Sequence, residues 1–278
     1  YSYMKNPPPS SFRQWSAAEN WPSFSTTLLS DLSAQLSSCG RLLFSLLFLT
    51  AFAFAQTTLT VAAAADLATL EAPIAAAFRA EHPKDSVVWV TEASGVLSQQ
   101  IQHGAPYDVF LSANRSFVER LTSSGKVAPD SVMVYAVGRL GVLWKDGKSH
   151  PLSDLEQNWV RFLALPNPKL APYGAAAVES LQHTGIWAKL QDRIVYGENV
   201  RQTLQLFESG NADAVITSAS LLQGKHPDMI PDSWHQPIRQ EAGLVASSAH
   251  RDAADNFLKF LKSPAGQRVF ARFGFGHL

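Results

Sequence analysis

Gly104-Ala105-Pro106-Tyr107-Asp108-Val109-Phe110-Leu111-Ser112-Ala113-Asn114 is a turn running into a short apolar strand that stops on small polar residues. A strand ending in Ser-Ala-Asn places hydroxyl and backbone donors at the rim of a sheet, the edge where open α/β folds bind ligands. The sequence on either side alternates short apolar runs with helical spacing. Upstream, 59–63 reads as a buried strand and Asp66 as an N-cap. Leu67, Leu70, Ile74, Ala77 and Phe78 then follow on one helical face. A strand over 87–90, a Ser94-Gly95 turn and a helix to about 103 lead into the quoted stretch. After it, Ser116 reads as the cap of a helix ending near Gly125.

The second half repeats the theme. Strands are expected over 140–144, 162–165, 194–196 and 214–216, with helices over 174–183, 200–209, 253–261 and 265–273. Strand–helix alternation at this spacing means βαβ units and mostly parallel sheets. No short repeat period is present, which excludes solenoids and propellers.

Apolar residues make up 46% and charged residues 17% of the 278, so a packed core is expected. Formal net charge is zero, and no long basic run occurs, which argues against nucleic acid or an anionic membrane as a partner. Arg41 precedes an apolar run over 42–55 that ends in Ala53-Phe54-Ala55 before Gln56. That is a signal-peptide core with cleavage expected after Ala55. It is shorter than the roughly 20 apolar residues a membrane span needs. It also lacks the polar face of a buried amphipathic helix. Residues 1–40 carry Pro7-Pro8-Pro9 and many serines and are given no function. Cys39 precedes the apolar run, so it does not fit a lipoprotein cleavage site, where the apolar segment comes first. The chain beyond Ala55 has no cysteine for disulfide or thiol chemistry.

No histidine pair or cysteine motif has metal-ligand spacing, and no GxSxG, Walker A or GxGxxG occurs; Gly138-Arg139-Leu140-Gly141 precedes a strand rather than opening a helix. The chain is therefore not expected to be an enzyme. Asp66, Glu92 and Asp108 are the acids left for any acid–base alternative. What remains is a set of loops where strands end and helices begin on small or hydroxylated residues. Unsatisfied N–H groups of a helix start, with its dipole, make an anion site without a cation.

A second segment, Asn167-Pro168-Lys169-Leu170-Ala171-Pro172-Tyr173-Gly174, shares the logic of the first. Together the two resemble the molybdate-binding, substrate-binding proteins of bacterial ABC transporters, over nearly everything after Gln56. The resemblance implies a two-lobed, periplasmic-binding-protein-like α/β fold, each lobe a mostly parallel sheet flanked by helices, with the ligand cleft between lobes. Lobe 1 would comprise 56–137 with 243–278 returning to it, and lobe 2 would comprise 138–242. The chain would cross near 136–138 and 238–243. It implies a periplasmic, monomeric receptor that binds molybdate or tungstate for an ABC transporter permease, without cofactor and without a metal beyond the oxyanion. Sulfate or a small organic anion is the alternative ligand, with cage radius deciding between oxyanions.

The resemblance also carries site residues. At Ala64-Ala65-Asp66-Leu67 the family supplies a hydroxyl or amide, whereas this chain has Ala65 followed by Asp66. A carboxylate facing a dianion would repel it, so Asp66 is expected to turn away and cap its helix, leaving the N–H groups of Ala65 or Asp66 as donors. Ser94 matches a ligand serine and also reads as a cap for a helix beginning at Val96. Tyr173 and Val200 match backbone donors at helix starts; Pro172 has no N–H to give. Arg201 reads as a surface or salt-bridge residue rather than a clamp. Ser218 stands where one branch of the family has a tyrosine. Pro106-Tyr107-Asp108 is expected to fix the cleft wall, and Trp159, Trp187 and Trp234 to pack in the core or between lobes.

Overall fold

The structure, a computed structural model, describes residues 56–276. The expected leader over 42–55, its cleavage point at Ala55 and Cys39 all lie outside the described residues. Two five-stranded sheets, each flanked by helices, make a two-lobed α/β architecture.

The first sheet has the order β2-β1-β3-β10-β4. Its strands are β1 (Thr57–Ala64), β2 (Asp85–Glu92), β3 (Val109–Ser112), β4 (Met133–Gly138) and β10 (Ile238–Leu244). Along β1 the side chains alternate by the two-residue period of a strand. Leu59, Val61 and Ala63 pack with Ile74 and Phe78 of α1 (Glu71–Glu81) and with α7 (Arg251–Lys262) and α8 (Pro264–Arg272). Ala62 faces the other way, with Phe110, toward α2 (Ser94–Gln102) and α3 (Arg115–Ser123).

The second sheet has the order β7-β6-β8-β5-β9, from β5 (Leu140–Trp144), β6 (Leu163–Pro166), β7 (Ile194–Gly197), β8 (Ala214–Ser218) and β9 (Asp228–Met229). Helices α4 (Pro172–His183), α5 (Trp187–Leu190) and α6 (Val200–Glu208) cover it, burying Tyr173, Ala177, Leu181 and Val200.

Each sheet runs mostly parallel, with one strand reversed. β10 is antiparallel to β3 and β4, and β5 is antiparallel to β8 and β9. Both reversed strands follow a passage of the chain from one sheet to the other. The chain leaves the first sheet at Gly138, enters the second at Leu140, and re-enters the first at Ile238.

Three local expectations are corrected. Asp66 caps no helix: Ala65–Leu67 is a short 3-10 turn without a side-chain cap, and α1 starts at Glu71 behind Leu70. The carboxyl is drawn into the interior instead. Ser116 is not the cap of α3; Asn114 is, its side chain accepting from Phe117 N–H at 3.3 Å, with the Ser116 hydroxyl donating back to it. Trp159 is 41% exposed rather than core, its ring against Trp144 and His150, whereas Trp187 and Trp234 pack on the second-sheet core.

The start of α4 is seated tightly. A Cβ added to Gly174 would lie 2.1 Å from the Pro166 carbonyl oxygen at the end of β6. This close approach holds the first turn of α4, including Tyr173, against the strand end. Gly174→Ala is expected to lower stability by about 1–3 kcal/mol through overpacking, read as the urea midpoint. An unchanged midpoint would show that the helix start is free to shift.

Candidate functional site

Strand ends and helix starts from both lobes meet on one small cavity. Ala64, Ala65 and Asp66 come from the end of β1, Ala93 and Ser94 from the start of α2, and Ala113 from the end of β3. Across the cleft, Ala171, Pro172 and Tyr173 begin α4, and Asn199 and Val200 begin α6. The side chains are small because backbone has to approach the centre closely. The empty volume at this point is about 180 Å³. Drug-sized organic ligands occupy pockets of roughly 300–1,000 Å³, so this one is scaled to a small compact group.

The donors come from helix geometry. The first N–H groups of a helix have no carbonyl one turn back. Ser94 opens α2, Tyr173 is the second residue of α4, and Val200 opens α6. Asn199 caps α6 by accepting from Gln202 N–H at 2.9 Å, which leaves the Val200 N–H to the cavity. The Ser94 oxygen accepts from Ala113 N–H at 3.0 Å, so its own proton remains to donate. Among the described residues, no Lys, Arg or His lines the cavity. Arg201 is exposed and lies with Glu92 and Glu198 on the outer groove.

Asp66 is the unusual member. It is fully buried and lines the cavity. Its Oδ2 accepts two hydrogen bonds, from the Tyr173 hydroxyl at 2.8 Å and from Gln240 Nε2 at 2.8 Å. Its Oδ1 has no hydrogen-bond partner among the described residues. Burial pushes its pKa up to about 7, against smaller downward pulls from Tyr173, its own backbone and Gln240. Gln240 also receives the Tyr135 hydroxyl at 3.0 Å. Burial likewise drives the Tyr173 and Tyr135 phenols well above their usual range, so both stay protonated donors. Gly138 makes room for this knot, since a Cβ there would lie 2.2 Å from the Tyr173 hydroxyl.

Of the expected site residues, Ala65, Asp66, Ser94, Tyr173 and Val200 converge. Ser218 does not. The Ser220 hydroxyl donates to the Asp66 carbonyl at 2.6 Å, and Ser218 stands 2.8 Å behind Ser220. Ser218 does not line the cavity; its hydroxyl is engaged with Ser220 and with the Tyr173 hydroxyl behind it. Ser94 is the first residue of α2 rather than its cap, which is Ala93. Tyr173 contributes a hydroxyl as well as a helix-start N–H, and Gln240 and Tyr135 were not anticipated at all. The only hint of Gln240 was a polar residue inside a strand-length segment.

Asp108 stays out of the cavity and fixes its wall. It accepts from Thr60 N–H at 2.7 Å and from the Ser248 hydroxyl at 2.6 Å, tying β1, β3 and the approach to α7. Contacts across the cleft are both apolar and polar: Ala64, Ala65 and Ala113 pack into the second-sheet core, and hydrogen bonds join the two sides. They include Asn199 Nδ2 to Glu92 Oε2 at 2.9 Å, Gly95 N–H to Leu170 O at 3.0 Å and Thr69 hydroxyl to Ser220 O at 3.1 Å.

The family model for bacterial extracellular solute-binding proteins matches residues 59–276, and the chain belongs to that family. Among its relatives, the chain is 35% identical over 200 residues to the molybdate-binding protein ModA of Rhodobacter capsulatus, spanning 68% of this chain and 77% of that protein. It is 32% identical over 236 residues to the molybdate-binding protein ModA of Azotobacter vinelandii, spanning 78% and 93%. The solved structure of the Azotobacter vinelandii periplasmic molybdate-binding protein aligns with a TM-score of 0.73 at 31% identity, covering 79% of this chain and 99% of that one.

Tyr173→Phe removes a donor that favours the ionised form of Asp66. The Asp66 carboxyl is expected to titrate above the wild-type value in that variant, followed by carboxyl carbon NMR. A carboxyl that titrates at the same pH or lower would break the Tyr173–Asp66 link.

Proposed function

We propose that the protein is an extracytoplasmic receptor that binds molybdate, with tungstate as an equivalent ligand, and hands it to an ABC transporter permease. One observation supports this: three α-helix starts and a tight turn line a small cavity that no Lys, Arg or His lines among the described residues. A tetrahedral dianion offers only acceptors, so a cage of donors suits it. The same cage disfavours hydrogen phosphate, whose proton would face donors. The relatives named for molybdate binding support the choice of ligand.

The binding set we assign is the backbone N–H of Ala65, Asp66, Tyr173 and Val200 together with the Ser94 hydroxyl. The lobes are divided where the chain passes between sheets, which moves the expected return from 242/243 to 237/238, because β10 pairs between β3 and β4 inside the first sheet. Ligand bridging the two lobes would hold the cleft shut by hinge closure, and the permease would read the shut form. The receptor acts as a periplasmic monomer. It catalyses nothing: of the three acids available for acid–base work only Asp66 lines the cavity. Glu92 is engaged by Asn199 and Asp108 by Thr60 and Ser248, so no carboxylate pair faces a common point.

Isothermal titration calorimetry with molybdate, tungstate, sulfate and phosphate tests the reading. Tight one-to-one binding of the first two, with sulfate and phosphate silent, is the expected result; heat from none of the four would sink the proposal. Ser94→Ala is expected to weaken molybdate binding by about 1.5–3 kcal/mol, the worth of a hydrogen bond to a charged group. An unchanged dissociation constant would remove Ser94 from the site.

A further inference from the structure

The receptor reading leaves one buried group without a task. Asp66 lines an anion-sized cavity, and its Oδ1 is sealed from solvent with no hydrogen-bond partner among the described residues. Its sister oxygen is saturated as an acceptor, taking the Tyr173 hydroxyl and the Gln240 amide. A carboxyl group whose Oδ2 accepts twice keeps any proton on Oδ1. No group among the described residues is placed to accept that proton, which leaves it to whatever fills the cavity that Asp66 lines.

We infer that Asp66 serves the site as a neutral carboxylic acid whose Oδ1–H donates to an oxygen of the bound oxyanion, so that each anion is captured together with one proton. The inference rests on the receptor reading and deepens it. The surroundings suit the neutral form. From α4 Asp66 faces the Tyr173 hydroxyl, from β10 the Gln240 amide, from β4 the Tyr135 phenol, and from the 3-10 turn Ala219–Leu222 the Ser220 hydroxyl. No charged side chain is among the groups that act on it. The nearby acids are turned elsewhere: Glu92 on β2 toward Asn199, and Glu241 on β10 toward Arg115 at 4.0 Å. An ionised Asp66 would add a like charge to a dianion in a cavity without a cation. The neutral acid supplies a donor instead, standing in for the hydroxyl or amide that such a cage calls for. Its pKa, pushed up to about 7 by burial, keeps that form within reach near neutral pH.

The test is calorimetry of molybdate binding to the purified protein at about pH 8, in two buffers of different ionisation enthalpy. The difference in heat counts the protons taken up per anion. Wild type is expected to take up close to one proton and to lose affinity by up to tenfold per pH unit as the solution becomes more alkaline. Asp66→Asn keeps a donor without a titrating group, and is expected to bind with no proton uptake and no such slope. Infrared spectra of the wild-type complex should show the carbonyl band of a neutral carboxylic acid that Asp66→Asn lacks. Asp66→Ser replaces Asp66→Asn if the amide variant does not fold. One-to-one binding by wild type without proton uptake would overturn the inference and leave the receptor reading standing. Uptake that persists in Asp66→Asn or Asp66→Ser would overturn it equally. Silence toward every oxyanion would remove the receptor reading and the inference with it.

Discussion

The cleft is organised by a buried polar knot in which Tyr173, Gln240 and Asp66 bond to one another at 2.8–3.1 Å. Its three members come from distant parts of the chain: the turn after β1, the first turn of α4, and the strand that returns to the first sheet. A buried polar group left without a partner costs about 1–3 kcal/mol, so each member needs the others in place. That requirement couples the end of β1 to the start of α4 and to β10. It thereby sets the distance between the helix starts that face the cavity. Gly138 belongs to the same constraint, because any side chain there would occupy the position of the Tyr173 hydroxyl.

Around this knot the protein makes an anion site without spending a cation. Lys and Arg would bind an oxyanion by charge alone and would accept sulfate, phosphate and carboxylates alike. Helix-start N–H groups have fixed directions, and so discriminate by radius and by the number of acceptors offered. The cost is that the cavity must be small and its backbone close, which is why alanines line so much of it. The zero net charge of the chain agrees with this strategy, since no global field is needed to hold the ligand.

Much of the site is readable along the chain because helix starts have local signatures. Tyr173 following Pro172, Val200 following Asn199, and Ser94 after a strand all stand at positions defined by their immediate neighbours. What escaped depends on partners far away. The Asp66 carboxyl is placed by Tyr173, 107 residues on, and by Gln240, 174 residues on; nothing near Asp66 distinguishes an interior knot from a helix cap. Strand β10 carries Arg239-Gln240-Glu241 in sequence, which breaks the apolar run that marks a central strand. Its pairing between β3 and β4 is a long-range fact. Ser218 stands off the cavity for a different reason: its hydroxyl is engaged by Ser220 and Tyr173, partners that its own neighbourhood in the sequence does not announce. Asn114 displaced Ser116 as a cap because a shift of two residues in a helix start changes which side chain reaches the free N–H groups.

The acid at position 66 becomes intelligible when magnitudes are compared. Two like unit charges about 4 Å apart repel by roughly 4 kcal/mol at an effective dielectric near 20, and a dianion doubles that. A hydrogen bond to a charged group returns about 1.5–3 kcal/mol. An ionised Asp66 therefore cannot be offset by the donors around it, whereas a protonated Asp66 turns the largest opposing interaction in the cavity into a favourable one. Closing the cleft over the carboxyl and bringing in the anion both favour the proton, so desolvation and ligand charge act in the same direction. The preference for the acid form thus arises from the same burial that makes the helix dipoles effective.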